Sequence, residues 1–181
     1  AFDAASGASV VVIADRAGDA EWEGDAGLTM LRSLLPVIGA APIVFAGARQ
    51  MWLMEAAHRE LDLPAWRIAG SAPTALEGAL RALAALALDR SATEISLHAY
   101  GRPPEGTVIA WQSAVCGGSP LEDVLPPHER LAISDRAKGL WPPGPTALAG
   151  AAARVAAALA FGTRREMPAC IGTASAPRTG R

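Results

Sequence analysis

The chain has no asparagine, a single lysine (Lys138), one tyrosine, two cysteines and three histidines in 181 residues. Each shortage excludes something. Cys116 and Cys170 lie too far apart in sequence to suggest a disulfide framework or a Cys-x-x-Cys metal site, so both are expected as buried free thiols. The net charge of −2 argues against a nucleic-acid surface. No stretch reads as a signal peptide. The longest alanine-rich apolar run, 146–161, contains Arg154 and falls short of the roughly 20 apolar residues that a bilayer span needs. No membrane insertion and a cytoplasmic location are therefore expected. No Ser/His/Asp, Cys/His or H-x-x-x-H spacing is present, so no metal is expected. Nor does a G-x-G-x-x-G occur, the turn that brings backbone against a pyrophosphate. The use of arginine in place of lysine reads as a GC-rich bacterial coding bias.

What is present is 51% hydrophobic and 19% charged, the balance of a globular domain with a sizeable core. Ser9–Ala14, Pro42–Ala46 and Trp66–Ala69 are short apolar runs of the kind that form buried parallel strands. Between them, 26–38 and 50–61 carry apolar residues at helical spacing. Thr74 is expected to cap a third helix running to Leu88. Three strand–helix units in succession predict a parallel α/β sheet with right-handed crossovers. The pattern then changes. Glu94–Ala99 and Thr107–Cys116 alternate, as antiparallel strands do, across a loop at 101–106. Helices are expected near His128–Lys138 and from Thr146, a last strand at 166–171, and a disordered tail at 173–181.

Individual side chains offer little obvious chemistry. His58, His98 and His128 could each act as a general base, although a hydrogen-bonded structural role is the ordinary reading of such a residue. Asp19, Glu21, Glu23 and Asp25 could attract a cation, but a solvated acidic loop is the simpler account. Trp22, in that loop, and Trp141, before two prolines, are candidate partner contacts, because exposed aromatics anchor interfaces. Local core packing is their alternative role.

The run Leu63-Pro64-Ala65-Trp66-Arg67-Ile68-Ala69-Gly70-Ser71-Ala72 resembles the lactate/malate dehydrogenase family's approach to its Leu-Asp-Ser-Ala-Arg-Phe-Arg helix. A bacterial malate dehydrogenase can be laid alongside 63–121 without a gap, and 141–167 resembles that family's small-residue helix and Leu-Pro strand. The resemblance implies a partial Rossmann-type parallel sheet over 1–72 and an α+β lobe of the family's C-terminal type over 73–172, with 173–181 as a tail.

It also implies losses. The family's catalytic aspartate falls on Leu76, its substrate-carboxylate arginine on Ala79 and its proton-carrying histidine on Pro103. Only the second arginine of that helix is matched, at Arg81. The Ser-Asn-Pro turn falls on Ala46-Gly47-Ala48, and the mobile arginine loop falls on the acidic stretch 18–24. Hydride transfer to a 2-keto acid needs a positioned acid, a carboxylate to hold it and a guanidinium to clamp the substrate. The expectation is thus a non-catalytic relative, without cofactor, that serves as a structural or regulatory subunit of a homo- or hetero-oligomer. Two alternatives stay open. One is an active NAD-dependent oxidoreductase using His98 as a displaced acid. The other is a small-molecule binding module in a remnant cleft at Gly47, Leu76, Ala79 and Pro103.

Overall fold

A computed structural model describes residues 5–15, 22, 24–101, 103, 106–163 and 167–171. Three β-branched and apolar runs become parallel strands: β1 (Val11–Ile13), β2 (Ile43–Phe45) and β3 (Ile68–Gly70). The register places Val12 beside Val44 and Val44 beside Ala69. Helix α1 (Gly24–Ile38) joins β1 to β2, and α2 (Met51–Glu60) leads through a short 3-10 turn (Ala65–Arg67) into β3. The helices bury Leu28, Leu31, Leu34, Leu53 and Met54 against Ile13, Ile43 and Phe45. Burial of this kind is worth about 1.5–3 kcal/mol per large side chain. The Arg67 guanidinium closes the α1–β2 corner by donating to the carbonyls of Gly39 (2.6 Å) and Ala41 (3.0 Å).

Helix α3 (Ala72–Leu88) begins at Ala72, with Ser71 at its N-cap. Thr74 therefore does not cap it. Its hydroxyl sits inside the first turn and donates to the Pro168 carbonyl at 2.5 Å. The helix stops where Asp89 turns left-handed (φ 50°) and its amide returns to the carbonyls of Ala85 and Leu86.

The two alternating stretches do not form two continuous strands. Glu94–Ala99 divides into β4 (Ile95–Ser96) and β5 (Ala99–Tyr100), because Leu97 turns into the core and the ladder changes partner. Thr107–Cys116 divides into β6 (Val108–Ile109) and β7 (Val115–Cys116) around a 3-10 turn at Trp111–Ser113. β5 pairs with β6, and β4 pairs with β7, which continues to β8 (Ser119–Pro120). Helices α4 (Leu121–Val124) and α5 (Pro127–Gly139) follow, and Leu121, Leu125, Ile133 and Ala137 join Leu76, Leu80 and Leu97 in a second core.

The last helix, α6 (Pro145–Phe161), packs on α3 and on the first sheet, where Ala152 and Val155 meet Val44 and Ala46. β9 (Cys170–Ile171) closes that sheet antiparallel to β3, giving the order β1-β2-β3-β9. The expected tail at 173–181 lies outside the described residues. Cys116 is half-buried rather than buried, because it sits on a two-residue strand near the surface.

The neck of the β5–β6 hairpin sets a sharp requirement. Gly101 has φ +94°, and a Cβ there would lie 1.9 Å from the Gly106 carbonyl oxygen. Gly101→Ala should lower unfolding stability by about 1–3 kcal/mol, as strained backbone does. A urea titration would check this, and an unchanged midpoint would show that the neck can open freely.

Candidate functional site

Helix α3 carries three faces with different chemistry. Successive residues on a helix turn by roughly 100°. Ala75, Gly78 and Ala79 share one face, which meets α6. Leu76 and Leu80 point into the second core at 2% and 0% exposure. Glu77 and Arg81 stand roughly 160° around the axis from Ala79, away from the α6 contact.

On the first face, a groove of about 490 Å³ runs between α3 and α6. Its walls are Ala75, Gly78, Ala79, Ala147, Gly150 and Ala151, with the Thr146 hydroxyl and the Arg154 guanidinium as its polar side chains. Arg154 Nη2 donates to the Thr74 carbonyl at 3.4 Å, a long and weak contact. No carboxylate pairs with Arg154 among the described residues.

On the far face, Glu77 is a charged group at only 4% exposure. Burying a carboxylate costs several kcal/mol unless partners repay it. Two do so here. Its Oε2 lies 3.2 Å from His98 Nδ1, and its Oε1 lies 3.8 Å from Arg81 Nη2. His98 is held in the connector between β4 and β5, where its own carbonyl accepts the Ala110 amide. With Nδ1 on Glu77, the imidazole keeps Nε2 as its second polar atom.

A third cluster sits at the C-terminal ends of the parallel strands, where open α/β sheets take their ligands. Gln50, 2% exposed, accepts the Gly47 amide on Oε1 (3.0 Å) and donates from Nε2 to Asp15 Oδ1 (2.6 Å). The Asp15 carboxylate presses against Gly47, where a Cβ would lie 2.5 Å from both oxygens.

These placements sort the residues singled out in the sequence. Ala79 lines the α3–α6 groove, while Gly47, Leu76 and Pro103 are not among its lining residues. Gly47 belongs to the Asp15–Gln50 cluster and Leu76 to the second core, while Pro103 is half-buried in the hairpin loop. His58 Nδ1 lies 2.7 Å from the Leu63 carbonyl, and exposed His128 lies 3.8 Å from Glu129. Trp22 packs on the first core and donates from Nε1 to the Ala14 carbonyl, and Trp141 packs on the second core. The exposed tryptophans are Trp52 (43%) and Trp66 (68%). Most of the acidic loop, 16–21 and 23, lies outside the described residues.

Sequence reasoning passed over Asp15, Gln50, Glu77 and Arg154 as site residues. Glu77 left one usable trace, since it and Arg81 are the two charged residues in the apolar helical stretch Ala72–Leu88.

No protein-family model matches the chain, and no curated protein does. Solved structures do. Malate dehydrogenase from Aeropyrum pernix superposes with a TM-score of 0.82 at 13% identity, over 94% of this chain and 60% of that one. Malate dehydrogenase from Picrophilus torridus gives 0.76 at 16% identity, over 96% of this chain and 59% of that one. The ligand-unbound minor L-lactate dehydrogenase of Enterococcus mundtii gives 0.75 at 16% identity, over 94% and 62%. The chain has a lactate/malate dehydrogenase-like fold, and it spans about three fifths of the length of these structures. Among the described residues, no helix is long and apolar enough to cross a membrane.

Two substitutions test the clusters. Glu77→Ala should cost about 1–3 kcal/mol, less than for a fully buried pair because His98 and Arg81 are partly hydrated, and Glu77→Gln should cost less. Equal loss in both, measured by thermal melting, would show that the charge rather than the hydrogen bond matters. Gly47→Ala should destabilise by about 1–2 kcal/mol, and pairing it with Asp15→Gly should recover most of the loss.

Proposed function

We propose that this protein is a non-catalytic relative of the lactate and malate dehydrogenases that serves as a structural or regulatory subunit of a larger assembly. The observation that carries this reading is α6. From Pro145 to Phe161 its only polar side chains are Thr146 and Arg154. One face is buried on β2 and α3, yet Ala149, Ala153, Ala157 and Ala160 form an exposed stripe at helical spacing. Leu159 is 41% and Phe161 81% exposed. A helix that is apolar all round is ordinarily covered all round. A stripe of small residues lets another helix approach closely, and each alanine loses little side-chain entropy on burial. The edge of β1 is a second surface suited to another chain, since among the described residues only β2 pairs with it and Val12 is 45% exposed.

The side chains at the family-aligned positions favour the same reading: Leu76, Ala79 and Pro103 can neither donate a proton nor bind an anion. No cofactor enters this reading.

One observation favours a second reading, an NAD-dependent oxidoreductase with His98 as a displaced acid. Glu77 holds His98 Nδ1 as a carboxylate orients a catalytic imidazole.

Sedimentation velocity should find the chain as a dimer or larger species at micromolar concentration, and Ala149→Glu should shift it to monomer. A wild-type monomer would remove the support for the subunit reading. Assays with NADH and oxaloacetate or pyruvate should give no rate above background. A rate abolished by His98→Ala would establish the second reading.

A further inference from the structure

We draw no further inference here: the strongest candidate, the apolar hollow between the 3-10 turn before β3 and the C-terminal end of α6, lined by Trp66, Val155, Leu159 and Met167, is an unpartnered face and nothing in the structure shows what covers it.

Discussion

The close contact of α6 with α3 is the constraint on which the rest of the molecule depends. Alpha-3 is shared: one side rests on the second core through Leu76 and Leu80, and another receives α6. Alpha-6 in turn reaches the first sheet, placing Ala152 and Val155 on Val44 and Ala46. The two cores are thereby tied through one helix pair. Beside that contact the two helices line an open groove with small residues, Ala75, Gly78 and Ala79 on α3 and Ala147, Gly150 and Ala151 on α6.

This packing also sets what chemistry α3 can present. The α3 residues that line the groove, Ala75, Gly78 and Ala79, carry no charge. The charged residues of the helix fall on the opposite side, where Glu77 is buried between His98 and Arg81. Such a buried ionic cluster is weak evidence for stability, because desolvation offsets much of the attraction. What it does fix is register: the β4–β5 connector is held to one turn of α3, and breaking that contact would leave a carboxylate stranded in the core.

The first half of the fold was legible in the sequence because its signals are local. Val10–Ile13 and Pro42–Phe45 are short apolar β-branched runs, and the leucines of 28–35 repeat at helical spacing. The middle was less so. Alternation in Glu94–Ala99 and Thr107–Cys116 suggested two strands, but pairing across different sheets cut each into two-residue pieces, and partner choice is not written in a window of residues. The sites were least legible. Glu77 and His98 are 21 residues apart, Asp15 and Gln50 35, and Arg154 reaches Thr74 across 80. Which of three helix faces a side chain occupies becomes meaningful only once its neighbours are known. Thr74 shows the same limit, since its capping chemistry was recognisable, but its hydroxyl was already committed to Pro168.

The fourth strand of the first sheet arrives very late. Gly70 pairs with Cys170, and Thr74 with Pro168, so residues 168–171 are stitched back beside a strand made long before. A nascent chain leaving the ribosome would therefore expose the β3 edge throughout synthesis of the entire second lobe, an interval in which a chaperone or a neighbouring nascent strand could reach it. For this protein, the order of translation and the order of sheet closure run apart.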